Sequence, residues 1–389
     1  SSPAAGRAAG LSFLGGKRVR TAAIIFEGGP RAENPLQETL TGLRHAVTLD
    51  TVAKFCAAGL DQVVLATNHP ALAEAAARLG ARIFDTRGDR FHFGRSLVQA
   101  VRESGADAVI YLSGAALPLI GQEEIAWIRD ALHRDEPTVV VNNVQSVDLV
   151  AWRPASRLER VDPPENDNIL GWRLRDTGME RVLLPNSAAV NFDLDTPTDY
   201  LILALSGKGG PRAQAALRAA GWSDARLRAA ADVLAAELPE VALIGRVGSA
   251  IMEHFNRNLP VRLRVFSEER GMKALGREAA GLVRSVVGDL IEDLGPERFF
   301  ARLGETCDAA FFDTRVLFAN RGRRVSEWDR FQSDLGNVEQ IGDPFVRAFT
   351  RAALECPIPV VLGGHSVVAG GLWVLADRAI ALRGGPMRF

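Results

Sequence analysis

The feature that most constrains this chain is the regular alternation of short apolar runs with amphipathic segments over its first two hundred residues. Thr21–Glu27, Asp61–Thr67, Ala81–Asp85, Asp107–Leu112 and Pro137–Val144 read as strands. Between them, Leu40–Ala58, Pro70–Leu79, Gly94–Ser104 and Gly121–His133 have apolar residues at helical spacing, several stopping at Gly. Near-continuous apolar strands need cover on both faces. Strand–helix–strand order then dictates a mostly parallel, Rossmann-like α/β sheet with right-handed crossovers. Ligands of such sheets sit at the carboxyl ends of the strands. That edge gathers Gly28, Gly29, Thr67, Asn68, Asp85, Ser113 and Gly114.

The rhythm breaks at Val150–Pro185, which is rich in Arg, Asp, Pro and Trp and reads as an excursion from the sheet. Ser187–Asp195 reads as a returning strand, and Pro197 opens a helix behind Thr196 as N-cap. Lys208–Pro211 (KGGP) is the expected linker. Beyond it the pattern is mainly helical: Ala213–Ala220, Ser223–Leu238, Val241–Phe255, Glu268–Asp293, Glu297–Arg302 and Asp343–Glu355. The expected organisation is a flexible tail over 1–19, an α/β domain over 20–207 and a mainly α-helical domain over 208–389.

Composition excludes several classes. Lys+Arg 46 against Asp+Glu 47 leaves a net charge of -1, which argues against a nucleic-acid partner. Three scattered cysteines fit neither a disulfide framework nor a zinc site, and suit a reducing, cytoplasmic setting. Ser1–Gly10 lacks the apolar core of a signal peptide. Pro357–Ala376 carries no charge and is long enough to span a bilayer, but it holds two prolines, four glycines and His365. It reads as a buried strand (Ile358–Leu362), a Gly turn and a helix, so no membrane partner is expected. The oligomeric state stays open.

Three segments carry candidate chemistry. The loop Gly28-Gly29-Pro30-Arg31 follows the first strand; glycines let backbone approach phosphates, and Arg31 can neutralise them. The bland reading is a structural turn. In Asn191-Phe192-Asp193-Leu194-Asp195-Thr196-Pro197, the carboxylates of Asp193 and Asp195 alternate along the expected strand and so share a face. Paired hard oxygens near phosphates suit Mg²⁺; the competing reading is a pair of aspartates capping the next helix. The third segment is the apolar strand and tight turn Tyr111-Leu112-Ser113-Gly114-Ala115-Ala116-Leu117-Pro118.

In order and spacing these segments resemble the MobA-like nucleotidyltransferases, over roughly residues 20–206. Ala58-Gly59-Leu60-Asp61-Gln62-Val63-Val64-Leu65-Ala66-Thr67 matches the family's second strand, and His92-Phe93-Gly94-Arg95-Ser96-Leu97 its base-holding segment. Asp193 to Asp199 matches its Asp-x-Asp-Thr-Pro-x-Asp run at every fixed position. The resemblance implies a nucleotidyltransferase-type sheet and transfer of a nucleotide from an NTP to a small phosphorylated or hydroxylated acceptor. Arg31, Asp193 and Asp195 would be catalytic, and the two aspartates would hold Mg²⁺, with Asp85 as a further donor. Gly28, Gly29, Thr67, Asn68, Asp85, Gly94, Ser113 and Gly114 would bind the nucleotide, with Arg18 assisting Arg31 on the triphosphate.

Two departures stand out. Ala116 occupies the position of the family's metal-binding Asp in Gly-Asp-x-Pro-Leu-Ile, and a methyl group ligates nothing. No lysine follows the Gly-rich loop before Arg44-His45, so Arg44 would have to supply that charge. A nucleotide-binding or regulatory protein that has lost catalysis is the alternative, and a nucleotide-sugar glycosyltransferase using Asp193-Leu194-Asp195 is a weaker one.

The second half shows a basic, aromatic stretch from Phe312 to Arg330 that could receive a phosphate or an anionic acceptor, against the plainer reading of a solvated face. Gly363-Gly364-His365-Ser366 reads as a strand-to-helix turn able to take an anion, or as packing; it lacks the spacing of a nucleophile elbow.

Overall fold

The computed structural model describes residues 18–88, 91–144 and 147–386, so the expected tail falls outside the described residues except for Arg18 and Val19. Its first sheet is built from β1 (Thr21–Phe26), β2 (Gln62–Thr67), β3 (Arg82–Asp85), β4 (Ala108–Ser113), β5 (Thr138–Val141), β6 (Leu149–Arg153) and β7 (Glu180–Leu183). The order is β3-β2-β1-β4-β6-β5-β7. Only β6 runs against its neighbours β4 and β5. Alternate β1 residues feed two cores, as a pleated strand requires. Ala23 and Ile25 pack with the helices Pro35–Ala57 and Gln122–Leu132. Ile24 and Phe26 pack with Phe93–Ser104 and Leu170–Asp176.

The second half is richer in helix than in strand, as expected, but its centre is a second parallel sheet. That sheet contains β8 (Glu240–Gly245), β9 (Arg262–Ser267), β10 (Ala309–Asp313) and β11 (Val360–Gly363), in the order β11-β10-β8-β9. Of these only β11 corresponds to an expected strand. Val241–Phe255 is not one helix: Gly245, with φ +119°, and Gly248 divide it into β8 and the helix Ser249–Asn258. Glu268–Asp293 is a series of turns with Gly271, Gly276 and Gly281 at positive φ, followed by the helix Val286–Leu294. In the first half, Ser187–Asp195 is not a strand but one helical turn, Ala188–Asn191, followed by unpaired extended chain.

A single hydrophobic cluster joins Phe192, Tyr200 and Ile202 to Leu243 and Phe311 of the second sheet, and to Leu375 of the last helix, Gly370–Leu382. That helix lies against Ala188–Asn191 so closely that a Cβ on Gly370 would strike the Asn191 carbonyl. Among the described residues no helix is long and apolar enough to cross a membrane.

Candidate functional site

Each sheet has a point where successive parallel strands lead off to opposite sides, between β1 and β4 in the first and between β8 and β10 in the second. Loops leaving the two strands diverge there and leave a crevice. At the first switch point lies a cavity of about 610 Å³, lined by Gly28, Gly29, Asn68, Phe91, Tyr111 and Asp167, among others. One wall is aromatic. Phe26 meets Phe91, Phe93 and Tyr111 edge-on, at centroid distances of 6.2, 5.7 and 5.6 Å. Phe91 is 58% exposed and presents its ring to whatever occupies the cavity. Opposite it, the Tyr111 hydroxyl donates to Asp167 Oδ2 at 2.9 Å. Burial holds the Asp167 carboxyl above the usual range despite that bond.

The sequence-derived site residues divide by what holds them. Gly28, Gly29, Asn68 and Ser113 line this cavity. Asn68 clasps the loop: its Oδ1 accepts from the Gly29 N–H at 3.2 Å and its Nδ2 donates to the Gly29 carbonyl at 2.9 Å. A Cβ on Gly28 would come 2.8 Å from Asn68 Oδ1, so the clasp itself demands glycine there. Gly114 is packed against Glu27 and Thr48, and Gly94 against the backbone of Pro163 and Pro164, with its N–H donating to the Pro164 carbonyl. Gly94 thereby seats the loop carrying Glu165, Asn166 and Asp167 on the cavity rim.

Thr67 is buried with its Oγ1 accepting from the His69 N–H. Asp85 is exposed and paired with Arg87. Neither lines the cavity. Arg31 lies on the exposed loop beyond Pro30, outside the lining. Arg18 pairs with Asp61 at the amino end of the sheet. β1 has six residues, so at about 3.3 Å per residue Arg18 is roughly 20 Å from the Gly-rich loop. Arg44 does reach the cavity, where its Nε and Nη2 donate to the Glu27 carboxylate at 3.0 and 3.2 Å. Burial disfavours the Arg44 charge, but Glu27 outweighs it and holds the guanidinium ionised.

Ser113 and Asp167 also line a second space of about 510 Å³, so the cavity adjoins a cleft between the carboxyl edges of both sheets. Asp148, at the start of β6, and Asp193 and Asp195 form one side. The reversed direction of β6 puts its first residue, rather than its last, at this edge. Asp193 and Asp195 share the cleft although no strand orders them.

Helix capping falls to Asp199: its Oδ2 accepts from the Asp195 and Thr196 N–H groups and the Thr196 hydroxyl, at 3.0, 2.8 and 2.9 Å. Its Oδ1 is buried without a partner, and burial, then Asp195, pushes this carboxyl up to about 8. Asp193 Oδ1 accepts from its neighbour's N–H, that of Leu194, at 2.8 Å. Burial, then the charges of Asp195 and Asp148, raises it well above the carboxylate range. Burial likewise lifts Asp148 to about 7, against its hydrogen bond from Asn142 at 2.9 Å. Carboxylates crowded in this way are a donor set suited to a hard divalent cation. Among the described residues, however, no three His, Cys, Asp or Glu side chains converge as a metal site. Ala116 lines the cleft without a donor atom, on a turn where Leu117 takes the left-handed φ of +48°.

The second sheet and the turns after β9 supply the facing side, with Arg246, Arg270, Lys273 and His365. Arg246 is held by Asp313, Nε to Oδ2 at 2.6 Å and Nη2 to Oδ1 at 3.1 Å. Arg270 and Lys273 have no carboxylate in ion-pair range among the described residues. The His365 ring opens onto the cleft, yet the protein around it, and then Arg246, holds its pKa below the ordinary imidazole value.

No family model and no curated protein matches the chain. Solved structures do resemble it. A nucleotidyl transferase from Methanothermobacter thermautotroptrophicus shares 18% identity at a TM-score of 0.39, over 51% of this chain and 99% of that one. A cytidylyltransferase from Leptospira borgpetersenii shares 16% identity at a TM-score of 0.38, over 52% of this chain and 94% of that one.

Sequence reasoning missed Asp148, Asp167, the Phe91 wall and Arg246, Arg270 and Lys273 facing the cleft; His365 was expected only as part of a turn able to take an anion. Asp148 and Asp167 lie in or beside the excursion, where no periodicity marks them. Arg246 had a signal: the Gly245-Arg246-Val247-Gly248 step is a strand-to-helix turn like the one after β1.

Proposed function

We propose that this chain is a nucleotidyltransferase of the MobA-like type. It binds a nucleoside triphosphate in the aromatic cavity at the first switch point and passes the nucleotide to a small phosphorylated or hydroxylated acceptor in the adjoining cleft. The observation that carries this reading is that the two spaces adjoin, sharing Ser113 and Asp167 as lining: a base against Phe91 would direct its phosphates past the Gly28-Gly29 loop toward the aspartates. Transfer is attack of an acceptor oxygen on the α-phosphorus, with the bond to pyrophosphate breaking. The cavity supplies position, the Gly28-Gly29 backbone lets the phosphates pass close by without a side chain in the way, and the cationic wall offsets charge on the leaving group. Asp193 and Asp195 would hold Mg²⁺, which would supply further neutralisation of the phosphates.

The test follows pyrophosphate release with each NTP and Mg²⁺ over candidate acceptors. Turnover with one NTP is expected, and Asp193→Asn should lower it about a hundredfold. Failure of every NTP to bind would overturn the reading.

Ala116 favours a second reading, a nucleotide-binding protein without turnover. Its methyl is 2% exposed and belongs to the apolar core of the first half, where a metal carboxylate would be costly. Nucleotide binding without pyrophosphate release, with release restored in Ala116→Asp, would select it.

A further inference from the structure

The second half contains a cavity that the proposed transfer does not use. Its volume is about 380 Å³, and Arg315, Arg323, Arg324 and Arg330 line it against one acid, Glu278. Two of these cations are matched. Arg315 bonds Asp334 through both terminal nitrogens, and Arg323 reaches Glu292 at 2.7 Å. Arg324 and Arg330 have no carboxylate in ion-pair range among the described residues. Arg330 Nε and Arg323 Nη1 are buried with no hydrogen-bond partner. The Arg323 guanidinium lies over the Phe345 ring at 3.8 Å, which fixes its plane. Burial, then the charge of Arg315, lowers the Arg330 pKa.

An anion with several oxygens is the group that meets these conditions together. Planar guanidinium forks pair with phosphate oxygens two at a time, and open N–H donors in a partly dry hollow bind a charged acceptor best. Counting Glu278, the cavity keeps a net positive charge, which an entering anion would offset. We propose that this cavity is a binding site for a small phosphate-bearing anion, separate from the transfer cleft. The turns after β9 form a wall of both: Arg270–Ala274 line the cleft and Glu278–Gly281 line the cavity. The proposal does not depend on the transfer reading.

Thermal unfolding of the full chain tests it, with inorganic phosphate as probe and chloride or acetate at matched ionic strength as controls. Phosphate at ten times its Kd should raise the unfolding midpoint by about 2 °C over chloride, with acetate giving less. Arg330→Met and Arg324→Met should each weaken the phosphate response at least tenfold, whereas Arg270→Met in the cleft should keep it. Arg324 is exposed, so its variant carries the test if Arg330→Met does not fold. No response in the unaltered chain, or a response that survives both cavity variants and disappears in Arg270→Met, would overturn the proposal.

Discussion

The two switch points of this molecule share a topology and differ in what fills them. At the first, β1 ends in Glu27-Gly28-Gly29, and the absence of side chains leaves a hollow walled by Phe26, Phe91 and Tyr111. At the second, β8 ends in Gly245-Arg246, and Arg246 lies across Asp313 with only 11% of its side chain exposed and none of its partner's. Gly245 matters there for another reason: a Cβ would come 2.6 Å from that of Asp313. Diverging loops guarantee a crevice. Whether the crevice binds a ligand or a pair of the chain's own charges is decided by two or three side chains. An ion pair also sits at the first point, Glu27 with Arg44, but Arg44 is 39% exposed and lies beside the hollow without filling it.

The largest expected effect comes from breaking the closed point. Asp313→Ala leaves Arg246 buried without a counterion and strips acceptors from the Arg246 and Arg315 N–H groups. Urea unfolding should show a loss of about 3–5 kcal/mol. Glu27→Gln at the open point should cost less than about 2 kcal/mol, because water reaches Arg44. Equal losses would show that both points are structural plugs and would remove the contrast.

The two regions should also respond to pH in opposite senses. Burial alone would raise the Asp313 carboxyl, but Arg246 overrides it and holds it below the ordinary range. Its contribution is present above the unfolded pKa and is lost as pH falls through the folded one. Asp148 behaves the other way. Its folded pKa, raised to about 7, means that the folded state keeps a proton that the unfolded state releases near pH 4. Stability therefore falls as pH rises between those values. Between pH 5 and 7 the decrease from this group should be about 2 kcal/mol, and Asp148→Asn should remove it. A slope unchanged in that variant would locate the proton elsewhere in the cleft.

What was legible in the sequence follows from local physics. β1, β2 and β4 are buried on nearly every residue, so their apolar runs stand out between Gly and Pro stops. β6 is as buried but was hidden among the Arg, Pro and Trp residues around it. In the second half, β8 and the following helix merge into one apolar stretch unless Gly245 and Gly248 are read as stops. β9 alternates Arg262, Leu263, Arg264 and Val265, an edge-strand pattern that falls between two expected helices, where no element was expected. Asp193 and Asp195 were placed on one side for the wrong local reason: they sit in unpaired chain, and packing of Phe192 and Leu194 into the shared core turns them both to the cleft.

The smallest expected effect tests the open point most directly. Phe91 is 58% exposed, so removing its ring exposes little new core. Phe91→Ala should change unfolding stability by less than about 0.5 kcal/mol. If a nucleobase stacks on that ring, the same change removes a contact worth about 1–3 kcal/mol, or roughly tenfold in nucleotide affinity by titration calorimetry. The matching variant at the closed point, Asp313→Ala, has the reverse profile, a large loss of stability and no ring to lose. Unchanged nucleotide affinity in Phe91→Ala would mean that the aromatic wall is packing alone, and that the hollow and the plugged switch points differ in shape but not in use.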